Sequence, residues 1–136
     1  MTAESSPRGF LRIRVNQLET HYLDGLMAGA SLARMMTDCA SEIGIRLDGT
    51  DGYLASYEKL DFLAPVYAGD FLEISAELIE KGRRSRRVAV EARRAVRHIG
   101  QPGGLSGGEV IDPPEPVARG VIISVVPREM AATADQ

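Results

Sequence analysis

Asp38 and Glu42 stand four residues apart in an apolar-periodic stretch, so a helix would place both carboxylates on one face. Paired carboxylates can divide acid and base work, because mutual repulsion raises the pKa of one of them. Arg34 also lies four residues from Asp38, and spacing alone favours the plainer reading of a solvated helix ion pair worth ~0.3–0.5 kcal/mol. Ahead of the helix, His21 and Tyr22 fall in a loop. Either can shuttle a proton, and an ordinary loop histidine beside a packing tyrosine fits equally well. Asp24, next to Gly25, reads as a turn or cap residue. A third group, Lys81, Arg83, Arg84, Arg86 and Arg87, crowds the tip between two alternating runs. Guanidinium forks match phosphate oxygens, so this tip reads as a receptor for a small polyanion.

The elements that must position these residues follow from periodicity. Leu11, Ile13 and Val15 alternate with Arg12 and Arg14, which predicts a half-buried strand. Over residues 27–46 the period changes: Leu32, Met36, Cys39 and Ile43 form one helical stripe, with small residues that allow close packing on a sheet. The cluster Asp48-Gly49-Thr50-Asp51-Gly52 ends that helix. Strands are predicted at 53–63, 72–78, 88–92 and 117–126. In Phe62-Leu63-Ala64-Pro65-Val66-Tyr67-Ala68-Gly69-Asp70 an apolar strand stops at Pro65, and a turn follows in which Gly69 takes a positive φ and Asp70 bonds back to the backbone. Residues 100–115 hold so much Gly and Pro that no regular element is expected there, but a long loop that is either a functional cover or partly disordered. Tyr57 is read mainly as core packing and Lys59 as a partner of Glu58 or Asp61, while His98 has no evident partner.

The chain has 136 residues and a net charge of −3, which suits one domain and argues against bulk nucleic-acid binding. Cys39, the single cysteine, excludes an internal disulfide and a cysteine-rich zinc site, and its place in the apolar stripe makes it a core residue. No apolar run is long enough to span a bilayer and the N-terminus lacks a signal pattern, so a cytoplasmic protein is expected. One helix with antiparallel strands gives an α+β layer fold, a single domain over 10–127 with flexible ends at 1–9 and 128–136. So small a sheet leaves apolar surface over, and a homodimer or larger homo-oligomer is expected, joined edge to edge or face to face.

The order strand, long helix, Pro-Val-x-x-Gly-Asp turn and Lys-Gly-x-x-Ser hairpin resembles the hot-dog fold of acyl-coenzyme A enzymes. Within it the chain is most similar to the 3-aminobutyryl-CoA and β-alanyl-CoA ammonia lyases. The resemblance rests on His21-Tyr22, Asp38 with Ala40 and Glu42, Ile45 to Gly49, Tyr57-Glu58-Lys59, Phe62 to Phe71, Ser85-Arg86, Glu91-Ala92-Arg93 and Pro116-Val117-Ala118. The Phe62 to Asp70 stretch is shared with acyl-CoA thioesterases, and Leu23-Asp24-Gly25 and Ala28 depart from the lyase pattern.

The resemblance implies reversible loss of ammonia from a 3-aminoacyl-CoA such as 3-aminobutyryl-CoA, giving crotonyl-CoA, in a fermentation of lysine. It assigns Asp38 and Glu42 to proton transfer and amine handling, with His21 and Tyr22 beside the thioester. Unpaired N–H groups of Gly29 and Ala30 at the helix start would hold the enolate oxygen. Tyr57 would line the acyl pocket, and Lys81, Arg83, Arg84, Arg86 and Arg87 would take the coenzyme A phosphates. No metal or organic cofactor is implied, and neither a nucleic acid nor a membrane is an expected partner. Two alternatives share the same residues: an acyl-CoA thioesterase, in which the carboxylate activates water, and a non-catalytic acyl-CoA binder.

Overall fold

A computed structural model describes residues 6–20 and 24–128. His21 and Tyr22 therefore lie outside the described residues, as do 1–5 and 129–136. The elements run β1 (Arg8–Arg14), a 3-10 turn (Gln17–Glu19), α1 (Gly29–Asp48), β2 (Tyr53–Phe62), β3 (Phe71–Lys81), β4 (Ser85–Gly100) and β5 (Ser106–Val125). The strands form one antiparallel sheet in the order β1-β3-β4-β5-β2. The helix runs two residues beyond the predicted 46 and stops where Gly49 adopts φ 76°, a left-handed cap whose N–H donates to the Ile45 carbonyl.

The sheet wraps α1. Leu32, Met36, Cys39 and Ile43 are buried against Leu72, Ile74, Val88, Val90 and Ile122, as their periods of 3.6 and two require. Each such side chain contributes roughly 1.5–3 kcal/mol by leaving water. Cys39 is fully buried and donates weakly to the Ile74 carbonyl. Burial, aided by the Glu42 charge, pushes its thiol pKa up to about 11, so the thiol is chemically quiet.

The Pro65–Asp70 segment closes the sheet as expected. Asp70 is buried; its Oδ2 accepts the Tyr67 N–H at 2.9 Å, and Gly69 has φ 96°. The Val15 N–H donates to the Asp70 carbonyl and the Gly69 N–H to the Val15 carbonyl, which fastens the turn to the end of β1.

Residues 100–115 are not the irregular loop that their Gly and Pro content suggested. Only a short turn around Pro102–Gly104 is irregular, and β5 begins at Ser106. The register shift between Arg94 and Val96 absorbs Pro113 and Pro114, and the Asp112–Pro113 peptide is cis. The sequence rule failed because two-stranded pairing asks little of residues whose outer side faces solvent.

Candidate active site

The site is built at the start of α1. Ala28 caps the helix with an apolar side chain, so no side chain satisfies the first amides. The Ala28 N–H donates to the Glu19 carbonyl, whereas the N–H groups of Gly29 and Ala30 have no partner among the described residues. Both residues are exposed. The helix dipole adds a partial positive charge at that point. In front of them lies a cleft of about 380 Å³ lined by Met27, Leu32, Phe62, Leu63, Pro65 and Val66. A Cβ placed on Gly29 would stand 3.3 Å from Cζ of Phe62, so the ring closes down on the glycine. A free donor at the edge of an apolar cleft, with a second free amide next to it in the helix, suits a carbonyl oxygen that gains negative charge. The sequence reading found Gly29 and Ala30 but missed Phe62 and Leu63, whose sign was large apolar side chains just ahead of Pro65.

The carboxylates fall elsewhere. Asp38 lies nine residues beyond Gly29, roughly 14 Å along the axis at 1.5 Å per residue. It does not line the cleft. Its side chain is 56% exposed and receives a 3.0 Å hydrogen bond from Arg34, the ion pair that spacing favoured. Arg34 also approaches Glu19 at 3.6 Å. Asp38 and Glu42 each pair with an arginine of their own helix. Glu42 accepts from Arg46 at 2.7 Å and from the Phe10 N–H at 3.2 Å, and these donors hold its pKa below the usual carboxylate value. That makes Glu42 a tether between α1 and β1, a carboxylate already engaged by two donors.

Tyr57 also serves packing. Its hydroxyl donates to the Ala33 carbonyl at 2.9 Å and shares a 2.6 Å hydrogen bond with Thr37, locking β2 to the helix. Burial raises its pKa, and the nearby Asp38 charge adds to the rise. Asp38 therefore stands on the flank of α1 that overlooks β2. Asp24 accepts the Leu26 N–H at 3.4 Å, the turn role expected of it.

The basic hairpin is mostly engaged within the chain. Arg86 is 1% exposed and grips Asp48 with two 2.8 Å hydrogen bonds, while its third nitrogen donates to the Gly82 and Ser85 carbonyls at 2.9 Å. It is a structural strut and cannot hold a phosphate, which corrects that assignment. Arg87 is bidentate to Glu58, and Arg84 donates to the Val126 carbonyl. Lys81 and Arg83 remain exposed. Because Arg86 anchors the hairpin to the last residue of the 20-residue helix, the tip lies about 30 Å from the helix start.

A cluster that sequence did not single out stands beside the cleft. Arg94 is buried and donates to Asp70 at 2.9 Å, to the Pro65 carbonyl at 2.8 Å and to Glu115 at 2.7 Å. The Arg94 hydrogen bond holds the Glu115 pKa low. His98, expected to be without a partner, donates its backbone N–H to Asp70 and packs its ring on Gly69. Lys59 lies 3.6 Å from Asp61, one of its two expected partners.

Comparison with known proteins places this geometry. The Thioesterase superfamily matches residues 24–100. The 3-aminobutyryl-CoA ammonia lyase of Acetoanaerobium sticklandii is 36% identical over 89 residues, 65% of this chain and 71% of that protein. An uncharacterised acyl-CoA thioester hydrolase of Zymomonas mobilis is 33% identical over 94 residues, 68% of this chain and 63% of that one. Among solved structures, the β-alanyl-CoA:ammonia lyase of Clostridium propionicum superposes with a TM-score of 0.85 at 21% identity, over 91% of this chain and 87% of that one. Both the sheet wrapped on one helix and the aligned residues agree: the chain belongs to the Thioesterase superfamily of hot-dog proteins, in the family of 3-aminobutyryl-CoA ammonia lyase.

Proposed function

We propose that the protein is a CoA-thioester ammonia lyase that eliminates ammonia reversibly from a 3-aminoacyl-CoA such as 3-aminobutyryl-CoA. The carrying observation is the uncapped start of α1, where Gly29 lines an apolar cleft and the Gly29 and Ala30 N–H groups have no partner among the described residues. A thioester oxygen seated there makes the neighbouring C2 proton more acidic. A carboxylate removes that proton, the C2 electrons form the C2=C3 bond, and the C3–N bond breaks to release ammonia. Coenzyme A enters as part of the substrate, and the scheme uses no other cofactor.

Roughly 14 Å separates Asp38 from the Gly29 donors of its own helix, too far for one substrate to touch both. β2 offers the remedy. It is a ten-residue edge strand, exposed over most of its length, with Tyr53, Leu54 and Phe62 bare. Such an edge is a template for pairing with a second copy. Antiparallel pairing of two β2 strands about a two-fold axis would run the two helices in opposite directions. Asp38, on the flank above β2, would then face the partner, and the partner's exposed basic tip would move toward the cleft end. We therefore assign the donors and the base of each site to different copies, with Asp38 as base and with Lys81 and Arg83 as the hairpin cations free for phosphate. The family resemblance assigns His21 and Tyr22 to the thioester. A cytoplasmic setting fits a substrate of this class.

The test incubates the protein with crotonyl-CoA and ammonium while enone absorbance and free thiol are followed together. Loss of enone without thiol release is the expected result. Thiol release would instead support a thioesterase, and tight binding without either change would support a binder. Asp38→Asn should abolish turnover and leave CoA affinity nearly intact.

A further inference from the structure

Arg94 holds an inward position of β4. The strand alternates, and Arg86, Val88, Val90, Ala92 and Arg94 are all buried along one side of it. A guanidinium in such a row needs acceptors for its whole fork, because an unpaired buried charge is costly. Nε of Arg94 donates to Glu115, and Nη1 donates to Asp70 Oδ2 at 2.9 Å and to the Pro65 carbonyl at 2.8 Å. Asp70 is equally engaged: Oδ2 also accepts the Tyr67 N–H, and Oδ1 accepts the His98 N–H. Arg94 thus grips both ends of the turn from Pro65 to Asp70.

That turn carries the cleft at the start of α1. Pro65 and Val66 line the cleft, whereas Arg94 does not. The next residues of the turn pair antiparallel with the segment that leads into the helix. The Met27 N–H donates to the Val66 carbonyl at 2.7 Å, Leu26 bridges Tyr67, and the Ala68 N–H donates to the Gly25 carbonyl at 2.9 Å. Gly29 begins the helix two residues after Met27. The helix start is therefore tied to residues 66–68, and the turn that holds those residues is fixed from behind by one buried fork.

We infer that Arg94 is a positioning residue for the thioester donors. It fixes the Gly29 amide relative to the Pro65–Val66 wall, acting through the pairing of residues 25–27 with 66–68. The inference rests on the lyase reading for what those donors do. Lysine would keep the charge and lose the fork, since one nitrogen cannot serve Glu115, Asp70 and the Pro65 carbonyl together. A displaced donor weakens the hold on a developing oxyanion more than it weakens binding of the ground-state thioester.

Steady-state amination of crotonyl-CoA and urea unfolding, measured together on the same variants, test the assignment. Arg94→Lys should lower kcat by about tenfold to a hundredfold and leave KM for crotonyl-CoA near the wild-type value. Glu115→Gln leaves the bonds to Pro65 and Asp70 in place, so it should lower the urea midpoint while kcat holds. In a Gly29→Pro background, Arg94→Lys should cost well under tenfold more in kcat, because the donor it acts through is already gone. Three results overturn the inference: a folded Arg94→Lys with wild-type kcat or a change confined to KM, an equal kcat loss in Glu115→Gln, or losses that multiply in the double variant. If Arg94→Lys does not fold, Asp70→Asn decides the matter. It keeps the side chain's shape but leaves one acceptor oxygen where three donors converge. Its kcat should fall in the same direction, and wild-type kcat there overturns the inference. A wild type that consumes no enone sinks the lyase reading and this inference together, whereas an active wild type matched by its variants sinks this inference alone.

Discussion

Breaking the Arg86–Asp48 pair should damage the fold far more than any other ion pair on the hairpin. Both side chains are 1% exposed, and all three guanidinium nitrogens are engaged: two on the Asp48 carboxylate at 2.8 Å and the third on two carbonyls at 2.9 Å. Asp48→Ala leaves the cation buried with only carbonyl partners, and such a loss costs about 3–5 kcal/mol. The same substitution at an exposed pair would cost about 0–1 kcal/mol. Replacing both partners with apolar residues of similar volume, Arg86→Met with Asp48→Leu, removes the charge together with its need for compensation. That double variant should recover most of the stability, because an apolar pair is often neutral or better in such a site. Urea unfolding of the wild type, both single variants and the double variant gives the coupling energy directly. A loss under about 1 kcal/mol in Asp48→Ala would refute the strut reading and return Arg86 to the phosphate-binding group.

Other expectations are as specific. Gly29→Pro removes one donor at the first helical position, where proline is tolerated and the preceding Ala28 is already extended (φ −67°, ψ 134°). It should lower kcat by about 10²–10³ with the fold intact by circular dichroism, and wild-type turnover would exclude that amide. Gly69→Ala meets both a φ of 96° and the His98 ring, 2.6 Å from the new Cβ. It should destabilise by more than the roughly 1–2 kcal/mol of backbone strain alone, and adding His98→Ala should relieve only the steric excess. Glu115 has its pKa lowered by Arg94, so it stabilises the fold above the ordinary carboxylate range and loses that contribution as pH falls through its folded value. Glu115→Gln should therefore lower the urea midpoint near neutrality and converge with the wild type in acid; parallel curves would contradict the linkage.

The fold was readable because its signals are local. Apolar periods placed the buried faces of α1 and the strands, and Gly69-Asp70 marked a turn whose backbone demands few other residues meet. The misreading at 100–115 has a cause: pairing is non-local, and Gly and Pro forbid regular structure only where a neighbour needs their missing side chain or N–H. The site was legible in part. Gly29 and Ala30 were reached through the family resemblance, as small residues at the helix start, and the apolar Ala28 cap came only with the structure. Arg86 could not be told from its neighbours, since its burial against Asp48 is a contact across a sequence separation of 38. Spacing put Asp38 and Glu42 on one face and favoured the Arg34–Asp38 pair, yet it could not show that the Phe10 amide of β1 also holds Glu42.

The account turns on donors and base belonging to different copies of the chain. Co-expression of Gly29→Pro with Asp38→Asn tests this most directly. Each variant alone should be nearly inactive as a lyase, whereas mixed dimers contain one intact site, and statistical mixing should restore about one quarter of wild-type turnover. Mixtures no more active than the separate variants would contradict a shared site.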